Sequence, residues 1–465
     1  MVARKFSRFL CVIEHNAFIA VFHQLHPEPV YFRKDLWENM AYGSKEFPKL
    51  TQDELVRQKL LIEDDATDCY ELEAYRASIS NSLDRPSILY LMLAQGCNNA
   101  CTYCPIPAIS LLRGYTLLSF EDAVAGIELW QRHLADWSDS DPYYVLFYGG
   151  EPLLNRTVFE QLVYSVAQRR MFGEFPVNVE LVLPTNGLLI DDALAKMLAQ
   201  HNILTVLGID GAPLYNDATR RTCEGEPTSL MLERKVKLLH RYGVRLAAST
   251  TLTPANVHAA SEHRAYLSSL GITNIGFNVL KGNALKMSLG SMSEAEYYRA
   301  VAEAVVLGYR DNDGVIEYQL QKKIDALAER KPFSVDCTCY GNQLVIQADG
   351  VVTNCPFLRI DLGHVRSLSS DFRIGKSEAV RLWRRRIPLL IEEKDLECQS
   401  FLHGGGCAWG SNERDGVLSK PDTGNELFNS EVMYAIVWKM LSERERDQLF
   451  RGECAYWSYR GIGSL

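Results

Sequence analysis

Cys97, Cys101 and Cys104 stand in the pattern C-x3-C-x2-C, within Gly96-Cys97-Asn98-Asn99-Ala100-Cys101-Thr102-Tyr103-Cys104. Three thiolates at this spacing can hold three irons of a [4Fe–4S] cube and leave the fourth iron open to another ligand. Two other chemistries compete for them. Structural zinc closes four ligands, usually in two pairs. A thiol redox pair needs only C-x2-C and has no use for Cys97. A second cysteine group, Cys337, Cys339, Cys355 and Cys407, lies far down the chain, with Cys398 and His403 before the last of them. Cys11, Cys69 and Cys223 stand alone and read as small buried hydrophobes.

These residues need a scaffold. From Ile88 onward, β-branched and aromatic runs alternate with helical periods. The predicted strands are 88–94, 143–148, 179–183, 204–209, 245–252 and 274–279. Helices are predicted between them, the first capped by Ser119 with Asp122. Such alternation implies an α/β fold with a parallel sheet and right-handed crossovers, here a partial, TIM-like (β/α)6 barrel. Chemistry gathers at the carboxyl ends of such strands. The first strand runs into the cysteine triplet, the second into Gly149-Gly150-Glu151-Pro152 and the third into Pro184-Thr185-Asn186-Gly187. The fourth ends in Asp210-Gly211, and the fifth carries Ser249-Thr250-Thr251.

Before the barrel, residues 1–73 read as a small α+β unit: a hairpin, an extended run at Val30-Tyr31-Phe32, two helices and a Leu-Leu-Ile strand. Thr51 and Glu54 suggest a capping box for the second helix. A polar linker is expected over 74–87, the barrel over 88–290 and a helical bridge over 291–335, its second helix at 316–330. A cysteine-rich, strand-poor domain is expected over 336–465, where Asp349-Gly350 marks a hairpin.

The 465 residues allow several domains at roughly 100–200 residues each. A formal net charge of −9, with no basic run longer than Arg384-Arg385-Arg386, argues against a nucleic-acid partner. The apolar start, Phe9 to Ile13, stops at Glu14-His15, too soon for a secretory signal. No apolar stretch is long enough to span a membrane, so a cytoplasmic protein is expected. In that compartment clustered cysteines point to metal or catalysis rather than disulfides.

The cysteine triplet together with Gly-Gly-Glu-Pro resembles the radical S-adenosylmethionine (SAM) superfamily over residues 88–290. The resemblance implies an open iron that chelates SAM, with Gly149, Gly150 and Glu151 meeting its amine. Glycines there would let the backbone approach a ligand closely. Tyr103 matches the aromatic position beside the adenine. Asn186 and Ser249 are implied ribose or carboxylate contacts, and Arg220 matches a family-typical Arg. Gly208 stands where the family usually has Ser. The implied chemistry is reductive cleavage of SAM to a 5′-deoxyadenosyl radical that abstracts hydrogen, fed by a flavodoxin or ferredoxin.

The second cysteine group resembles the SPASM extension of peptide-modifying members. It implies one auxiliary [4Fe–4S] cluster on Cys337, Cys339, Cys355 and Cys407. Cys337 and Cys339 can both reach it only if the backbone turns between them. A second cluster on Cys398, His403 and Cys454, or a zinc site, is the alternative. Two activities follow from the resemblance. Sulfatase maturases carry a proposed base, an Asp, after the hairpin Cys, where this chain has Pro356. Maturases of ribosomally made peptides (RiPPs) often begin with a winged-helix-like domain that grips a leader peptide at a sheet edge. Residues 1–73 fit that domain in size and order, so a cross-linking maturase acting on a leader-bearing precursor peptide is the favoured expectation. A non-catalytic peptide-binding scaffold and a small-molecule synthase remain alternatives. Asp210, Tyr115 and Tyr148 are acid or base candidates, none preferred, so no catalytic residue is assigned.

Overall fold

The computed structural model describes residues 4–43, 46–83, 85–106, 114–134, 142–176, 178–308, 314–328, 335–387, 390, 404–418, 422–451, 456–458 and 461–463. Cys398, His403 and Cys454 lie outside them. The strands in chain order are β1 (Lys5–Phe6), β2 (Leu10–His15), β3 (Phe18–His23), β4 (His26–Arg33), β5 (Leu61–Ile62), β6 (Ile88–Ala94), β7 (Tyr143–Gly149) and β8 (Val179–Thr185). There follow β9 (Leu204–Gly208), β10 (Leu246–Leu252), β11 (Asn274–Val279), β12 (Ile316–Glu317), β13 (Gln343–Ile346), β14 (Val352–Thr353), β15 (Tyr456–Ser458) and β16 (Gly461–Gly463).

A central sheet of nine strands runs in the order β12-β11-β10-β9-β8-β7-β6-β13-β14. Every pair but the last is parallel, as the α/β expectation requires. The pleat sorts the side chains. Leu89, Leu91 and Leu93 of β6, with Val145 and Phe147 of β7, are buried under the covering helices. Phe147 meets Phe159 of helix Arg156–Met171 edge-on at 4.9 Å. Tyr90 and Tyr148 stand on the opposite face, and the carboxyl ends of the parallel strands β6 to β13 all point the same way. Ser119 caps helix Phe120–His133 as expected, accepting from Asp122 N.

The sheet is wider than the six strands read from the sequence. The stretch predicted as helix from 316 opens with β12 on one edge before helix Tyr318–Ala328. On the other edge β13 joins β6 in parallel and turns at Asp349-Gly350 into β14, so the start of the cysteine-rich region belongs to the central sheet.

Two boundaries also differ. Residues 65–82 form one helix, where a linker was expected from 74. Its surface is polar, but Leu72 and Ile79 reach the core on a narrow stripe that composition alone hides. The N-terminal unit is not closed by residues 1–73. Its five-stranded sheet, β16-β15-β4-β3-β2, takes two strands from the end of the chain. Trp457 pairs with Tyr31 and packs in the cluster of Tyr31, Val437 and Trp438. The capping box at Thr51 does not form: helix Lys49–Arg57 starts after Pro48 without a side-chain cap, and Thr51 is buried inside it.

Candidate functional site

The cysteine loop leaves β6 after Ala94 and lies between its neighbours. Gly150 N donates to Ala94 O (2.9 Å) and Glu151 N to Gly96 O (2.8 Å), which ties the loops after β6 and β7 together. On the other side Ala100 N donates to Arg221 O (2.8 Å) and Thr102 N to Thr219 O (3.0 Å). A Cβ on Gly150 would stand 2.1 Å from Gly96 O, and one on Gly149 (φ +145°) 2.4 Å from Ala94 O. Sequence alone gives ligand approach as the reason for these glycines. The structure supplies a nearer one, the backbone of the cysteine loop itself.

Glu151 is fully buried and accepts from Leu153 N (3.0 Å), Thr185 Oγ1 (2.7 Å) and Asn186 N (2.8 Å). Burial pushes its carboxyl up to about 7, against the pull of those donors. Its carboxylate therefore staples the ends of β7 and β8. Asn186 faces the triplet: its Nδ2 donates to Asn98 Oδ1 (2.7 Å) and lies 3.7 Å from Cys97 Sγ.

Asp210 is the hub of the opposite side. It accepts from Thr251 N (2.9 Å), Tyr103 OH (2.8 Å) and Thr219 Oγ1 (2.8 Å), and pairs with Arg220 Nε at 3.0 Å. The Arg220 guanidinium lies 5.7 Å from the centre of the Tyr103 ring. Asp210 thus fixes two residues of the triplet's surroundings, an anchoring role that sequence reasoning missed. Gly208 finds its reason here as well. A Cβ at that position would meet Arg220 Nη1 at 2.4 Å, so the missing Ser makes room for the guanidinium. Ser249 on β10 accepts from Asn278 Nδ2 at 2.6 Å. Cys223, read as a buried hydrophobe, is half-buried against the triplet, its thiol 3.4 Å from Cys97 O. Cys11 is buried as expected and Cys69 is exposed.

Burial raises the thiols of the triplet, Cys97 to about 12 and Cys101 to about 11, and the thiols influence one another. A metal bound there would displace those protons. In the second group Cys339 and Cys355 are buried and Cys337 and Cys407 half-buried. A 3-10 turn at Thr338–Tyr340 supplies the bend that a C-x-C pair needs, and burial, with Cys337, Cys355 and Cys407 nearby, raises the Cys339 thiol. Leu358 N donates to Cys355 Sγ (3.3 Å) and Gly410 N to Cys407 Sγ (3.4 Å), two contacts that favour thiolate. Among the described residues no three His, Cys, Asp or Glu side chains form a group that could hold a single metal ion.

Four aromatic side chains pack against one another in a row. Tyr148 lies 5.6 Å from Tyr90 and 6.3 Å from Phe357, and Phe357 lies 5.7 Å from Trp409. Burial raises the Tyr148 phenol to about 12, with further upward pushes from Cys104 of one group and Cys355 of the other. Tyr148 therefore sits within electrostatic reach of both. Tyr115 lies just before Leu117, which bridges back to Ala94.

Residues 91–262 match the Radical SAM superfamily. The chain carries a radical SAM domain. The chain is similar to the cysteine-type anaerobic sulfatase-maturating enzyme of Clostridium perfringens, 25% identical over 346 residues, which cover 69% of this chain and 88% of that one. It is also similar to the serine-type anaerobic sulfatase-maturating enzyme of Klebsiella pneumoniae, 24% identical over 295 residues, 62% of this chain and 70% of that one. In fold it resembles native anSMEcpe with bound AdoMet, with a TM-score of 0.61 at 19% identity, covering 76% of this chain and 98% of that one. It also resembles Streptococcus suis SuiB, with a TM-score of 0.50 at 12% identity, covering 90% and 99%. The domain's matched span takes in the cysteine triplet, Gly149–Pro152, Asn186, Asp210, Arg220 and Ser249. No helix among the described residues is long and apolar enough to cross a membrane.

Proposed function

We propose that this chain is a radical SAM maturase that oxidises a ribosomally made peptide, forming a cross-link. In this reading Cys97, Cys101 and Cys104 hold the SAM-binding [4Fe–4S] cluster, and Cys337, Cys339, Cys355 and Cys407 hold one auxiliary [4Fe–4S] cluster. Four cysteines and no histidine in the second group, and three in the first, are donor sets that a cube accepts. Bound there, cluster and SAM supply hydrogen-atom abstraction from a strong C–H bond. The chain's own residues hold the reactants. Ser249 on β10, with Asn186, Arg220 and Tyr103 beside the triplet, would contact SAM. Asp210 keeps the last two in place, and Tyr90, Tyr148 and Phe357 would offer an aromatic surface to the peptide side chain. The observation that carries the proposal is Tyr148, packed against Tyr90 and Phe357 and within electrostatic reach of Cys104 and Cys355. A substrate against it would be within reach of both. Residues 1–73, completed by β15 and β16, would grip the leader, and a flavodoxin or ferredoxin would deliver the electron.

A second reading, formylglycine formation in a folding sulfatase, is supported by the Clostridium and Klebsiella relatives. Pro356 counts against it, because it follows Cys355 where the proposed base would stand and has no proton acceptor on its side chain. The test is intact mass of the short peptide encoded beside the gene, after anaerobic co-expression. The control is Cys97→Ala/Cys101→Ala/Cys104→Ala. Loss of two hydrogens only with the parent enzyme supports the cross-linking maturase. An unchanged peptide, together with conversion of a sulfatase Cys or Ser peptide to its aldehyde, supports the second reading.

A further inference from the structure

The auxiliary group has two cations that the proposed chemistry does not use. Arg386 is 1% exposed, and Glu426 is the carboxylate within its electrostatic reach. Among the described residues its partners are neutral oxygens: Gly405 O (3.0 Å), Leu418 O (2.9 Å), Cys407 O (3.4 Å) and Ser411 Oγ (2.7 Å). It wraps the Gly404-Gly405-Gly406-Cys407 loop from behind, bonded to the carbonyls of Gly405 and of Cys407 itself, so its buried charge stands beside that cysteine.

Lys281 approaches the same cysteine from the barrel side. Its Cβ would stand 3.3 Å from a Cβ built on Gly410, whose N–H donates to Cys407 Sγ. Its ammonium lies 2.5 Å from Asn425 Oδ1 and 3.8 Å from Asp422 Oδ2. Asp422 is shared with Arg414 at 3.4 Å, so Lys281 is not fully neutralised by it. The other carboxylates facing the site are Asp336, which accepts from Gly406 N at 2.8 Å, and Glu426. The ammonium acts on the thiols of both Cys407 and Cys337.

We propose that Lys281 and Arg386 are built-in counter-ions of an auxiliary cluster held by Cys337, Cys339, Cys355 and Cys407, and that they keep its reduction potential higher than the buried thiolates alone would. This rests on the four-thiol reading above. A cube on four thiolates is an anion, and it gains one more negative charge on taking up one electron. Nearby fixed cations stabilise the reduced form more than the oxidised form. No bond is made or broken in that step. Both are positioning residues, acting on the potential and touching no substrate.

The test uses the full chain with Cys97→Ala/Cys101→Ala/Cys104→Ala, so that only the auxiliary site can hold iron. The protein is reconstituted anaerobically with iron and sulfide and titrated potentiometrically with dithionite and mediators. Arg386→Met removes the loop's main tether and can unfold it, so Lys281 decides the matter. Lys281→Met is expected to lower the reduction equilibrium at least tenfold, about 59 mV for a one-electron couple. Lys281→Arg, which keeps the charge, is expected to restore the parent midpoint. A Lys281→Met protein with the parent's iron content and an unchanged midpoint overturns the proposal. If the triple-Ala parent binds no iron, the four-thiol reading fails, and iron analysis separates that outcome from the first.

Discussion

Gly150→Ala probes the joint between the cysteine loop and the strand beside it. The added Cβ would lie 2.1 Å from Gly96 O, 2.5 Å from Gly96 C and 3.1 Å from Cys97 N, all backbone atoms that cannot rotate away. To reach the 3.4 Å of ordinary contact the two loops must part, and the 2.8 Å bond from Glu151 N to Gly96 O opens with them. Forced overpacking costs about 1–3 kcal/mol, and the lost hydrogen bond about 0.5–1.5 kcal/mol more. The iron-free protein should therefore lose about 2–4 kcal/mol in urea unfolding followed by tryptophan fluorescence. The reconstituted protein should hold less iron, because Cys97 moves with Gly96. Gly208→Ala is the matched control: its Cβ meets only the end of the Arg220 side chain, which can swing aside. It should keep the iron and cost less than Gly150→Ala. A Gly150→Ala protein with parental stability and iron content would refute the reasoning that these glycines serve the cysteine loop.

Three further outcomes are expected. Glu151→Gln turns an amide NH2 toward one of its present donors; a buried unpaired group costs about 1–3 kcal/mol, read as a lower urea midpoint, and SAM affinity by calorimetry should fall as β7 and β8 part. Gly208→Ser should displace Arg220 from Asp210 and Tyr103, weakening SAM binding, whereas a rise in affinity would contradict the room-making role given to Gly208. His133 donates through Nδ1 to Leu129 O (2.9 Å) and accepts from Ile374 N at Nε2 (3.0 Å), a neutral arrangement, and burial lowers its pKa. The unfolded chain takes up that proton near pH 6.5 and the folded chain only at lower pH, so stability should fall as pH drops below about 6.5, by at most about 1.4 kcal/mol per unit. His133→Gln should flatten that part of the profile, and an unchanged slope would refute the assignment.

The parallel sheet was legible because β6 to β11 carry dense apolar runs bounded by turns, and because each functional motif follows a strand end. β12, β13 and β14 were harder to read: β12 and β14 are two residues long, and what places β13 beside β6 is a pairing far apart in sequence. The return of β15 to the N-terminal sheet rests on Trp457 against Tyr31, a contact that no local pattern announces. In the site, residue types and spacing pointed to the cysteines. They could not reveal that Asp210 gathers Tyr103, Thr219, Arg220 and Thr251, that Gly208 yields space to Arg220, or that Arg386 is buried behind Cys407. Those depend on which side chains meet across strands and loops.

The most direct test of the account is SAM cleavage by the reconstituted chain under anaerobic reduction, with 5′-deoxyadenosine quantified by chromatography. The parent protein is expected to form 5′-deoxyadenosine and methionine, and Cys97→Ala/Cys101→Ala/Cys104→Ala none. A parent protein loaded with iron at both thiol groups that leaves SAM intact would contradict the central claim.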